Sequence, residues 1–443
     1  LLTTEQLAFI QDAKQLSWFN LTAEKVMIQL AQKDAQAAKV YVAALMDVAA
    51  AAKFQTDQDK VDPVNNGILE PLSNIADTGI IPMNTEAGSY NKSKVLQPAL
   101  LDEYKRTPGP FSVQRYIHED DGILTFANAP VAVRAEDLKA GKVEVAFVGI
   151  PLALGSGWRD SKNAPTVLRG MYGLGGYDIS GGVDPSLVLS MADYGNIYVD
   201  NMSPELSIDH VREQIGDMVD AGVVPFIIGG DHTLMYPTVA AMSDKYGADS
   251  ISVVHMDAHY GGERGLEHTF SDKQSVSRLL EDGLLKGSNL VQLGLRGPSQ
   301  NKEALTWLQT QGVRYHTMAQ VEAQGWDKVM NSAITEAKTA APKTFVSFDM
   351  SVIDPAFVEG AGKPIPGGLS MREALTTVRR ICAETEIIGF EMLDIAPYLD
   401  VSYKTALSAN YIMHACLTGI AMRKEGITQT QYLDPLSVSH GQK

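Results

Sequence analysis

The sequence predicts an α/β fold of three layers, helices on both sides of a mostly parallel sheet, and three apolar runs carry that expectation. Phe226-Ile227-Ile228 leads into Gly229-Gly230-Asp231-His232, and Ile251-Ser252-Val253-Val254 into His255-Met256-Asp257-Ala258-His259-Tyr260-Gly261. Thr344-Phe345-Val346-Ser347-Phe348 leads into Asp349-Met350-Ser351-Val352-Ile353-Asp354-Pro355. Short β-branched runs read as buried strands, and the long segments between them read as helices, an alternation that builds parallel sheets. Chemistry in such sheets collects where strands end. His232, Asp257, His259 and Asp349 are therefore expected to meet at one edge, a mixed nitrogen and oxygen set suited to a first-row divalent metal.

In chain order, residues 1–140 differ from the rest and read as an N-terminal arm, helical and then extended. Residues 4–19 can form a short amphipathic helix. Residues 22–53 are Ala-rich, with Val26, Ile28, Leu30, Val40, Ala43, Leu45 and Val48 recurring, and are expected as one long helix. Residues 55–115 have scattered Pro and Gly and little periodicity, yet carry Ile68, Leu72, Ile75, Ile80, Ile81 and Tyr90. They are expected to wrap a neighbouring subunit or the domain's own surface.

An α/β domain over 141–443 opens with a strand at 143–150. A loop and helix follow over 151–169, then a strand at 187–192 running into Asp193-Tyr194-Gly195-Asn196. Residues 207–221 read as an amphipathic helix, and 233–246 as the helix after His232. Past the Gly- and charge-rich loop 262–270 come a helix at 275–282, strands at 289–296 and 312–316, and a helix at 326–340. Ser370 with Glu373 makes a capping box for a helix over 371–385. Residues 387–393 give the last strand, ending at Asp394, and 405–423 the closing helix.

Composition excludes several classes. The formal net charge of −16 argues against nucleic acid or an anionic membrane as partner. Cys382 and Cys416 are the chain's two cysteines, both in segments that read as buried, and no disulfide framework is expected. The first residues lack a basic segment followed by an apolar one, and no apolar run reaches membrane-spanning length, so a soluble, cytoplasmic protein is expected.

Gly-Gly-Asp-His, Asp-Ala-His and Ser-Phe-Asp, in this order, resemble the three signatures of the ureohydrolases (arginase, agmatinase, guanidine hydrolase), GGDH, DAHxD and SxDxDxxDP. Residues 151–169 resemble the family's first loop and helix, with Ala153 at the position of the loop's Asp, and 193–196 and 290–296 resemble its DxGN and xxGxR segments. The resemblance spans about 143–425 and implies an arginase-like α-β-α fold. It also implies a site in which two His and four Asp hold two metal ions, whose bridging hydroxide splits a guanidino C–N bond. On that pattern His232, Asp257, His259 and Asp349 are retained ligands. Gly261 and Ser351 stand where the other two Asp would be, one serving each ion. Two carboxylates supply about half the charge that balances two dications.

The metal positions therefore read as vestigial, empty or weakly held, and no catalytic residue is assigned outright. His268 is the candidate for the family's proton shuttle, with an exposed loop histidine as the other reading. Asp394 matches the Glu that grips the guanidinium, one methylene shorter. Without metals, His232 and His259 become core histidines partnered by Asp231 and Asp257, while Asp231 and Asp354 also read as cap and turn carboxylates. Glu263 is a further candidate to replace a lost ligand.

The arm resembles the extension of the nickel-dependent guanidine hydrolase and metformin hydrolase branch. That implies a catalytically degenerate subunit supporting a ligand-complete paralogue in a hetero-oligomer, a hexamer by the family's habit. Ni or Mn would sit in the partner and no metal in this chain. The complex would convert metformin and water to guanylurea and dimethylamine. Two other readings stay open. One is an active hydrolase with a rebuilt single-metal site on Asp257, His259 and Asp349. The other is a binding or regulatory protein that uses Asp257, Asp349 and Asp394 for a cationic ligand.

Overall fold

A computed structural model describes residues 2–17, 21–31, 33–58, 124–155, 159–200, 202–265, 270–298 and 301–427. Its strands are β1 (Val145–Ile150), β2 (Met191–Asn196), β3 (Val224–Gly229), β4 (Ile251–Met256), β5 (Leu290–Leu295), β6 (Arg314–Thr317), β7 (Lys343–Asp349) and β8 (Glu386–Leu393). They form one sheet in the order β2-β1-β3-β8-β7-β4-β5-β6, every pairing parallel. Alternate residues feed opposite faces. Phe147, Phe226 and Phe390 pack in one apolar cluster with helices Trp326–Ala340, Met371–Glu384 and Lys404–Lys424. Val148, Ile227 and Val253 pack in another with helices Pro204–Asp220, Met235–Tyr246 and Ser275–Glu281. With both faces covered, strands β1, β4 and β5 are buried along their whole length, which is why they read as apolar runs without alternation. The three-layer fold is the one the sequence predicts.

Several local expectations are corrected. The single helix expected over 22–53 is two, Ala23–Ala31 and Ala35–Gln58, because the Asp34 carboxylate accepts from the backbone N–H groups of Gln36 and Ala37 at 2.9 and 2.8 Å and starts the second afresh. Val26 and Val42 are buried there with Phe9, Ile10, Leu16 and Ala49, whereas Ile28 and Val40 of the expected stripe are more than half exposed. The strand expected at 187–192 starts at Met191. Asp184 and Pro185 first set a helical turn, Pro185–Val188, with the Asp184 side chain accepting from Ser186 N at 2.9 Å. The helix Met371–Glu384 carries the expected capping box of Ser370 and Glu373.

Cys382 and Cys416 are joined in a disulfide, against the expectation of none. They lie on the helices Met371–Glu384 and Lys404–Lys424, and two cysteines 34 residues apart give no sign in sequence that their helices face each other. Among the described residues no helix is long and apolar enough to cross a membrane. Residues 59–123, which hold most of the expected wrapping segment, lie outside the described residues, and so does His268.

Candidate metal centre

Parallel strands deliver their carboxyl ends to one edge, and the four adjacent strands β3, β8, β7 and β4 carry the predicted cluster there. Asp349 ends β7, Asp257 and Asp394 are the first residues past β4 and β8, and His232 follows β3 after a tight glycine turn. Gly230 has to be glycine, since a Cβ there would lie 1.5 Å from the Leu152 carbonyl oxygen. The structure brings together His232, Asp257, His259, Asp349 and Ser351.

Asp257 is surrounded by donors. Its Oδ1 accepts from the His259 backbone N at 2.8 Å and from Ser351 Oγ at 2.7 Å, and His259 Nδ1 is 3.0 Å away. Its Oδ2 faces His255 Nε2 at 3.2 Å and His232 Nδ1 at 3.4 Å. His232 Nδ1 lies closer to Asp349 Oδ2, at 2.8 Å, and Asp349 Oδ1 accepts from Ser351 N, also at 2.8 Å. Burial alone would raise the Asp257 pKa, but His232, His255 and His259 hold it well below the usual carboxylate range. Burial, and then the Asp257 charge, push Asp349 the other way. Two close carboxylates split so that one carries the charge. Burial opposes protonation of His259, yet its hydrogen bond to Asp257 raises its pKa.

Two members of this cluster escaped the sequence analysis. His255 and Glu391 belong to a row of polar side chains that crosses the sheet in register: Gln292 on β5 opposite His255 on β4, His255 opposite Ser347 on β7, and Ser347 opposite Glu391 on β8. All four are fully buried. Gln292 Nε2 lies 2.9 Å from both His255 Nδ1 and the Tyr260 carbonyl oxygen. That carbonyl can only accept, so Nε2 donates to both, and the neutral His255 must hold its proton on Nε2 and give it to Asp257. Burial lowers the His255 pKa, in keeping with a neutral ring. Glu391 takes a hydrogen bond from Thr238 Oγ1 at 2.7 Å, and burial pushes its carboxyl up to about 6. The signal available in sequence was polarity inside an apolar run: His255 between Val254 and Met256, Glu391 between Phe390 and Met392.

The remaining candidates do other work. Asp231 does not partner His232, as the core-histidine reading had it; it accepts from Thr233 N at 3.0 Å and Gly155 N at 2.6 Å, so its part is to cap. Asp354 accepts from Ala356 N, Gly367 N and Gly368 N at 2.9, 2.6 and 3.1 Å, the turn role expected of it. Asp394 has φ +60° and accepts at Oδ2 from Lys363 N at 3.0 Å. The main chain of Glu263 is tied to Lys273 O at 2.8 Å. Arg296, the first residue past β5, donates to main-chain carbonyls of Ser351, Val352 and Ile365, which anchors two loops beside the cluster.

Two dications do not fit these residues. Gly261 has φ +61° and turns its carbonyl to accept from Val276 N and Ser277 N at 2.9 and 3.2 Å, so the position caps a helix. A Cβ there would sit 3.1 Å from Ser275 Oγ and 3.2 Å from Val276 Cγ2. Ser351 donates to Asp257, where a ligand would have to accept. One closer grouping exists: single ligand atoms of His232, His255 and Asp257 all lie within 4.8 Å of one another. Its weak member is His255, whose Nε2 lone pair is taken by the proton that Gln292 fixes there.

Fold and site together define an arginase-like α/β scaffold with a buried His and Asp cluster at the carboxyl edge of its sheet. The chain belongs to the arginase family, whose profile matches residues 143–419. It is 29% identical over 313 residues to the guanidinobutyrase of Pseudomonas aeruginosa, covering 68% of this chain and 94% of that protein. It is 31% identical over 291 residues to the mitochondrial agmatinase of Gallus gallus, covering 65% and 82%. The solved proclavaminate amidino hydrolase from Streptomyces clavuligerus superposes with a TM-score of 0.61 at 24% identity, over 69% of this chain and 99% of that one, and shares the fold.

Proposed function

We propose that this chain is a catalytically degenerate arginase-family subunit that supports a ligand-complete paralogue in a heteromeric guanidino or biguanide hydrolase. One observation carries the reading: Asp257 is saturated by hydrogen-bond donors, one of them the Ser351 hydroxyl that stands in a ligand's place. A carboxylate engaged in this way is stable without a cation. Nickel or manganese belongs to the partner, and metformin is the substrate favoured by the resemblance of the N-terminal arm.

Metal analysis of the purified chain tests this directly. Far less than one metal per chain and no turnover of guanidinobutyrate, agmatine or metformin are expected, with activity appearing when the paralogue is added. Two metals per chain, or unaided turnover at enzymic rates, would overturn it. The grouping of His232, His255 and Asp257 favours a second reading, a single-metal hydrolase. One tightly held metal, lost on His255→Ala and accompanied by turnover, would decide for that reading.

A further inference from the structure

We propose that Lys363 is a built-in cation strapped across the mouth of the Asp257–Asp349 cluster, so that a small cationic ligand reaches the cluster only by displacing it. This goes beyond the degenerate-subunit reading and stands without a paralogue. Lys363 is held at two points. Its backbone N donates to Asp394 Oδ2 at 3.0 Å, just past the end of β8, and its ammonium forms an ion pair with Asp272 in the loop that follows β4. In the sheet, β7 lies between β8 and β4. Asp349 at the end of β7 pairs in register with Leu393, the residue before Asp394, so Lys363 is held beside the end of β7 and its side chain runs from there to Asp272.

The strap is anchored on both sides of Lys363. Gly360 N donates to Thr405 Oγ1 at 2.8 Å and Gly362 N to the Asp394 carbonyl at 2.9 Å. Downstream, Arg296 Nε donates to the Ile365 carbonyl at 3.0 Å. Asp272 is 5% exposed in its side chain and Lys363 26%, so the pair is largely out of water. Asp272 also packs against the first loop, where a Cβ on Gly155 would fall 2.7 Å from its Oδ1. Lys363 thus ties three loops of the carboxyl edge together. It also supplies one positive charge at an edge that carries Asp257, Asp349, Asp272 and Asp394. Removing one partner of such a pair leaves a buried carboxylate uncompensated, a strong attractor for another cation. A planar guanidinium, with paired donors, is the small cation best matched to it.

The test uses the full chain and methylguanidinium in low-salt calorimetry. Lys363→Met should bind it at least tenfold more tightly than the wild type, while Lys363→Arg, which keeps the strap's charge, should bind like the wild type. Equal affinity of the wild type and Lys363→Met would overturn the proposal. Because Lys363→Met could fail to fold, a second measurement uses the unaltered protein. Acylation by a succinimidyl ester, read by mass spectrometry, should modify Lys363 at least tenfold more slowly than the exposed Lys302. Asp272→Asn should remove that difference. Equal rates at Lys363 and Lys302 in the wild type would overturn the strap as well. Metal content and turnover enter neither measurement, so the strap and the degenerate-subunit reading can fail separately.

Discussion

Ser351 shows how one side chain changes what a site is. Its hydroxyl donates to Asp257 and its backbone N–H to Asp349, so one residue quiets both carboxylates. Ser351→Asp would put a second acceptor against Asp257 Oδ1 in a buried place. The metal-free protein should lose about 3 kcal/mol, the usual scale for an uncompensated buried charge. Added Ni or Mn should restore part of that loss, and thermal melts with and without metal would read both. Gly261→Asp alone should recover less, because the residue sits at φ +61° with its carbonyl already capping a helix. Glu391 gives a pH test. Its carboxyl is pushed up to about 6 from an ordinary 4.5, so the folded state binds the proton more tightly than the unfolded. Stability on this account is greatest below pH 4.5 and falls as pH rises through 6, by about 2 kcal/mol in total. Glu391→Gln should therefore stabilise the protein at pH 7 by up to that amount, with the gain gone near pH 4. Denaturant melts at the two pH values would check it, and an equal gain at both would refute it.

At the scale of elements, what was legible in sequence depended on which force made the element. The strands before His232, His259 and Asp349 announce themselves because burial on both faces demands continuous apolar runs, and their ends place the ligand-type residues. The helices Lys302–Thr310 and Met318–Gln324 passed unnoticed for the opposite reason. The first fully buries only Leu308, with Ala304, Leu305 and Trp307 partly buried beside it, and the second buries no residue, so the apolar face of each is short. Their caps, Asn301 and the box of Thr317 with Gln320, were the available signal. The polar row of Gln292, His255, Ser347 and Glu391 was invisible because register between strands is a tertiary fact. Each residue looks like an isolated blemish in its own strand. The disulfide belongs to the same class. It closes a loop of 34 residues and should contribute about 3–4 kcal/mol through the unfolded chain. Cys382→Ser with Cys416→Ser should lower the melting temperature by roughly 5–12 °C at this size, compared with the oxidised parent.

For the whole molecule, the question of a metal becomes one of linkage. A ligand that binds the native state and not the unfolded one stabilises by RT ln(1 + [L]/Kd), about 2.7 kcal/mol at a hundredfold excess over Kd. At a few degrees per kcal/mol, an intact dinuclear site would announce itself as a rise of several degrees on adding Ni or Mn and a matching fall with chelator. This chain has a clean baseline for that measurement, since both cysteines are in the disulfide and, while it stays oxidised, no free thiol is present in the unfolded state to draw the metal there. Its cluster is already engaged from within: His232, His255 and His259 surround Asp257, and Lys363 pairs with Asp272. A metal would have to displace those contacts before gaining its own. The expected shift of the wild type with millimolar Ni or Mn is therefore below 1 °C, and chelator should leave the melt unchanged. A rise of several degrees that chelator reverses would mean the cluster holds a cation after all, and the internal charges would then be partners of the metal and not its replacement.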